Sequence, residues 1–129
     1  MMNQDSVTAG EDAEATAWTL RQTQGIVDEW IRSIGVRYFD PMTNLAQLME
    51  EVGEVARVLS RTHGEQSKKA GETLAALDDE LADVMFVVIC LANQSGIDLQ
   101  AAMERNLAKK TKRDLTRHKN NEKLIPPPA

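Results

Sequence analysis

The stretch LMEEVGEVARV, residues 48–58, decides how this chain is read, because its pattern returns twenty-nine residues later as LDDELADVMFV, residues 77–87. Superposed, Leu48 matches Leu77, Glu51 matches Glu80, Glu54 matches Asp83, Val55 matches Val84 and Val58 matches Val87, with small Gly53 and Ala82 between the acids. Apolar residues recur at helical spacing in both copies. Residues three apart on a helix share a face, so each copy presents two carboxylates side by side. If the two helices pack together, four carboxylates converge. Held close without counter-charge they would repel one another and take up protons, so a divalent cation is their natural partner. Neither copy contains His or Cys, and an all-oxygen set selects a hard cation, Mg²⁺ with Mn²⁺ as the alternative, over zinc. A di-iron bundle would want Glu-x-x-His, and here each Glu is followed by an acid instead. Taken singly, either acid pair also fits a solvated helix face; the repetition in the same order favours a shared metal.

The rest of the chain fits a helical frame around these two segments. At 129 residues it makes one domain with a modest core, for which further burial by oligomerisation would help. Ala, Leu, Val, Glu, Lys and Arg dominate and aromatics are few, which points to an all-α fold. The net charge of −5 argues against a general nucleic-acid binder, and the charge is segregated. Residues 40–83 carry ten acids against four Lys/Arg, whereas residues 98–119 carry seven Lys/Arg against three acids. The lone Cys90 sits in an apolar run, which excludes a disulfide framework and fits a buried thiol in a reducing compartment. No apolar stretch reaches the length of a membrane span and the first residues lack a signal-peptide layout, so the expected location is cytoplasmic.

In chain order, residues 1–16 are polar and aperiodic and read as a disordered arm. A four-helix domain is expected over residues 17–114, and a flexible tail over residues 115–129. Helix one follows Leu20, Ile26, Val27, Trp30, Ile31 and Ile34, with Gly35 as its C-cap. Trp18 and Trp30 read as core filling rather than as a wall for stacked bases. Asp40-Pro41 has the form of a helix start, and helix two runs to about residue 62 with Leu45, Leu48, Met49, Val52, Val55, Ala56 and Leu59 as its core stripe. A polar loop follows, and helix three spans about 73–95. After Asp83 that helix is apolar nearly all round, so part of it, Phe86, Val87, Ile89 and Cys90, is expected to pack against another subunit. Gly96 ends helix three and Asp98 caps helix four. Helix four carries Asn106, Lys109 and Arg113 on a shared face suited to phosphates.

An acid cluster beside a basic helix suits a polyphosphate whose charge is shared between Mg²⁺ and Lys/Arg, and hence metal-assisted hydrolysis. No Walker-type loop, nucleophile elbow or paired Cys supports a covalent or P-loop mechanism. Glu50-Glu51-Val52-Gly53-Glu54, followed by Glu80-Leu81-Ala82-Asp83, resembles the E-E-x-x-E and E-x-x-D signature of MazG-like nucleoside triphosphate pyrophosphohydrolases. Asn106-x-x-Lys109-x-x-x-Arg113 is similar to the substrate-binding helix of that family. The resemblance covers roughly residues 20–114. It implies a four-helix unit, completed by a homodimer or homotetramer, that cleaves a (deoxy)nucleoside triphosphate to the monophosphate and pyrophosphate in nucleotide-pool house-cleaning. It further implies Glu51, Glu54, Glu80 and Asp83 as Mg²⁺ ligands. Glu50 would be a weaker ligand or would orient the attacking water, and Asn106, Lys109 and Arg113 would hold the phosphates and sugar. Two other readings compete: a non-catalytic helical dimerisation module, and nucleic-acid binding through the basic helix, which the acidic remainder of the chain opposes.

Overall fold

The computed structural model describes residues 17–125. The expected N-terminal arm and the end of the tail, residues 126–129, lie outside the described residues. Helix α1 (Leu20–Trp30) continues into a π-helical turn (Ile31–Gly35) and is followed by α2 (Pro41–Thr62), α3 (Leu77–Gln94) and α4 (Leu99–Asp114). A short 3₁₀ turn (Glu122–Leu124) lies in the C-terminal segment that follows α4. There is no strand among the described residues. The main packing is α2 against α3, with α1 against α3 and α4 completing the unit.

Local signals account for most of the helix ends. Thr19 caps α1 in a reciprocal capping box with Gln22, a T-x-x-Q signal that places the start after residue 17. Asp40 accepts a hydrogen bond from Met42 N with Pro41 at the first helical position, and Asp98 accepts one from Ala101 N. At the end of α1 the expected cap is corrected. A Cβ on Gly35 would lie 3.3 Å from Ile31 Cδ1 and 3.4 Å from a Trp30 ring carbon, so Gly35 serves close packing. The reversal falls on Val36, at φ 73°, a costly conformation for a β-branched residue. Gly96, at φ +67°, closes α3 as its lack of a Cβ allows.

Helix α3 starts at Leu77, four residues later than its composition implies. The Glu72 side chain accepts from Lys69 N at 2.9 Å and lies 3.3 Å from Arg57 and 3.4 Å from Arg61, which pins the loop on α2 and keeps residues 73–76 out of the helix. No side chain caps α3, but Asp78, Asp79 and Glu80 occupy its first turn, where the helix dipole favours negative charge.

The core is small: Val27, Ile31, Ile89 and Cys90 pack together, with Tyr38 and Leu99 against them. A polar strap beside it joins α1 to the α3–α4 turn. Gln24 Nε2 donates to Asn93 Oδ1 and Ile97 O, Leu99 N donates to Gln24 Oε1, and Asn93 Nδ2 donates to Gln24 O and Tyr38 Oη. With every arm of Gln24 paired, this buried network fixes how α1 sits on the turn. It was not expected from the sequence, where Gln24 and Asn93 carry no periodic signal.

Tyr38 Oη donates to Asp28 at 2.6 Å. Burial first, and then this carboxylate, push the Tyr38 hydroxyl up to about 12. An acid whose pKa is raised on folding contributes stability that is full below its unfolded value of about 10 and is lost as the pH rises through the folded one. Because the chain has one tyrosine, tyrosinate absorbance should titrate near 12 in the native protein and near 10 in urea. Helicity should weaken across the same window. A native titration near 10 would show that Tyr38 is not held this way.

Candidate metal centre

The antiparallel pairing of α2 and α3 builds the site. Near one end Asn44 Nδ2 of α2 donates to Gln94 Oε1 of α3 at 2.8 Å, and two helical turns along α2 Glu51 faces Glu80 and Asp83. One carboxylate oxygen from each of these three acids lies within 4.8 Å of the others. Glu80 is 8% exposed, Glu51 half-buried and Asp83 exposed, so the cluster opens outward from a buried floor. Burial, and then the charges of Asp83, Glu80, Glu50 and Glu54 in that order, push the Glu51 carboxyl above its ordinary value. Among the described residues, no Lys, Arg or His forms an ion pair with Glu51, Glu80 or Asp83. A half-buried acid set with neither counter-charge nor nitrogen ligand fits a hard divalent cation.

Other expected residues stand apart from the trio. Glu54 lies one turn beyond Glu51 and pairs with Arg57 at 3.5 Å. Glu50 is exposed on the neighbouring face, near enough for its charge to act on Glu51. Asn106, Lys109 and Arg113 are exposed along α4, which packs chiefly on α1. Arg113 is turned to Asp114 at 2.7 Å, and with Arg117 it holds the Asp114 carboxyl down at about 2. Among the described residues no ion pair joins the basic face to the clustered acids of the same chain.

The apolar stripes also fall differently from expectation. On α2 the covered face runs Asn44, Gln47, Leu48, Glu51, Val55 and Val58, so the acid is part of the packed face. Met42, Leu45, Met49, Val52 and Leu59 stand between 39% and 70% exposed. On α3, Val87, Ile89 and Cys90 are buried within the chain itself, and the uncovered residues are Leu81, Met85 and Phe86. Trp18 is 62% exposed rather than core. Trp30 meets Phe86 edge to face, with ring centroids 5.7 Å apart.

Trp30 and Phe86 belong to a feature that the sequence did not disclose, a partly open, mainly apolar cavity of about 220 Å³. Tyr38, Phe39, Asn44, Gln47 and Cys90 also line it. Gln47 precedes Glu51 by one turn of α2 and Phe86 follows Asp83 by one turn of α3, so the cavity adjoins the acids along both helices. The available signal was Asn44, a polar residue on the face of α2 that packs on α3.

Residues 39–118 match the MazG nucleotide pyrophosphohydrolase domain. YpjD of Bacillus subtilis (strain 168) is 38% identical over 104 residues, which is 81% of this chain and 94% of that protein. The crystal structure of YpjD, described as a candidate pyrophosphatase, superposes with a TM-score of 0.68 at 37% identity, covering 77% of this chain and 99% of the other. That of the Bacillus-conserved MazG protein, a nucleotide pyrophosphohydrolase, gives 0.62 at 36% identity, covering 73% of this chain and 90% of the other. The domain match and the extent of these likenesses agree with the all-α fold and the acid-lined helix pair: the chain belongs to the MazG nucleotide pyrophosphohydrolase family.

Proposed function

We propose that this pyrophosphohydrolase uses Mg²⁺, or Mn²⁺ in its place, to hydrolyse a (deoxy)nucleoside triphosphate to the monophosphate and pyrophosphate, in the cytoplasm, as nucleotide-pool house-cleaning. The observation that carries the reading is the convergence of Glu51, Glu80 and Asp83 with no counter-charge. Glu51, Glu80 and Asp83 hold the metal, and Glu54 joins them on release from Arg57. When bound, the metal polarises the phosphoryl oxygens and lowers the pKa of water. Glu50, exposed beside the cluster, orients or deprotonates the attacking water. Asn106, Lys109 and Arg113 hold the phosphates and sugar, and the two cations offset the charge of the departing pyrophosphate.

Because no ion pair among the described residues joins the basic face of α4 to the clustered acids of its own chain, the complete site uses a second copy. The exposed stripe of Met42, Leu45, Met49, Val52 and Leu59 has coiled-coil spacing and supplies the seam of a homodimer, or of a homotetramer built from it. Light scattering should give at least twice the 14.3 kDa chain mass at micromolar concentration, and Met49→Glu should shift it toward the monomer. A wild-type monomer would overturn the shared site. Pyrophosphate release from a panel of ribo- and deoxynucleoside triphosphates, with Mg²⁺ and with chelator, tests the activity. A rate that survives the chelator would overturn the metal assignment.

A further inference from the structure

Arg37, Tyr38, Asn44 and Gln47 are the polar residues that line the cavity beside the acids, and the amide of Asn44 has its orientation fixed by a chain of hydrogen bonds. Phe39 O can only accept, and it receives Gln94 Nε2 at 2.9 Å. The other end of the Gln94 amide must then be its oxygen, and this accepts from Asn44 Nδ2 at 2.8 Å. Asn44 is consequently locked with its amino group toward Gln94, leaving Oδ1 without a donor among the described residues. The side chain is 4% exposed and lines the cavity. That oxygen is left as an acceptor that a donor on a bound molecule can satisfy.

We infer that the cavity takes the nucleobase of the substrate and that Asn44 Oδ1, oriented by Gln94, selects bases carrying an exocyclic amino group, of the cytosine or adenine type. The inference rests on the proposed hydrolysis and names the substrate class for it. Trp30, Tyr38, Phe39 and Phe86 give the apolar and aromatic walls that a flat heterocycle requires. Two turns of α2, about 10 Å along the axis, separate Asn44 from Glu51, and that is the order of the reach from a nucleotide's phosphate to the far edge of its base. A keto oxygen in place of the amine would face Oδ1 acceptor to acceptor, and a site built around a hydrogen bond discriminates strongly against such an analogue. Asn44 is thus a specificity-determining residue and Gln94 a positioning residue that acts through it.

Binding of CMP against UMP, and of AMP against IMP, tests this without turnover. Quenching of Trp30 fluorescence in a Trp18→Phe background reads the occupancy of the cavity. The amino member of each pair should bind about 10- to 100-fold more tightly. Asn44→Leu should bring the members of each pair together, and Gln94→Leu should narrow the ratio while leaving the fold and the binding of UMP intact. Equal binding within both pairs in the wild type, or an Asn44→Leu protein with an unchanged ratio, would overturn the inference. These outcomes are separable from the hydrolysis. Selective binding of CMP and AMP with no pyrophosphate released from CTP or ATP upholds the cavity's role and removes the activity, whereas CTP and UTP cleaved with equal kcat/KM keeps the activity and removes Asn44 as the selector.

Discussion

Glu51→Gln is expected to reduce pyrophosphate release about 10³-fold or more while the protein folds at least as well as the wild type. Glu51 is the only acid of the trio on α2, and it faces Glu80 and Asp83 across the helix pair, so without its charge the remaining carboxylates lie on one helix. Loss of a single preorganised charge interaction commonly costs about 10²- to 10³-fold in rate, and on the proposed assignment the loss also weakens the hold on the metal. Stability moves the other way. Burial and four neighbouring acids disfavour the ionised Glu51 carboxylate in the metal-free protein, and the neutral amide escapes both penalties at nearly the same shape. Thermal denaturation with and without Mg²⁺ separates the effects: the wild type should gain Tm with metal, in proportion to occupancy, and the variant should start equal or higher and gain little. A variant that kept both its turnover and its Mg²⁺ response would place the metal elsewhere.

The parts of this molecule that were legible in the sequence are those fixed by local chemistry. Asp40-Pro41 and Asp98 act as helix starts through their own side chains, and the repeat of Leu, acid, small residue, acid and Val put Glu51, Glu80 and Asp83 on facing surfaces. What was not legible depends on rotation and on distant partners. Of the stripe assigned to α2, Leu48 and Val55 are covered, but Leu45, Met49, Val52, Ala56 and Leu59 are exposed, because the packed face is turned toward Asn44, Gln47 and Glu51. Periodicity gives a stripe's spacing, and when two adjacent stripes are both apolar it does not say which one faces the core. Helix α3 starts late because Glu72 is held by Arg57 and Arg61, contacts that span the loop. Cys90, Val87 and Ile89 are covered within the chain, and Ile31, at the start of the π-helical turn after α1, packs with Ile89 and Cys90. The same long-range character hides the Phe39, Gln94 and Asn44 relay, which joins three parts of the chain by side-chain amides.

Glu50 and Lys109 should separate into a chemical role and a binding role, and their variants should complement one another between subunits. Glu50 is exposed beside the cluster and its charge acts on Glu51. If it positions or deprotonates water, Glu50→Gln should lower kcat by about 10² to 10⁴, the scale of general-base loss, with substrate affinity largely kept. With Lys109 proposed to meet the phosphates, Lys109→Ala should raise KM, and lower kcat only so far as its contact tightens on the leaving pyrophosphate. The exchanged pattern would mean that the two roles are reversed. Since α4 packs chiefly on α1 and no ion pair among the described residues joins its basic face to the clustered acids of its own chain, Lys109 is expected to serve the acids of a neighbouring chain. In a symmetric dimer each site then takes Glu50 from one chain and Lys109 from the other. Assayed at substrate well below the KM of the Lys109→Ala protein, where both parents are slow, Glu50→Gln and Lys109→Ala chains denatured, mixed and refolded together should be half mixed molecules, each with one intact site, and should reach about a quarter of the wild-type rate. A mixture no faster than its parents would return the phosphate grip to the chain that holds the metal.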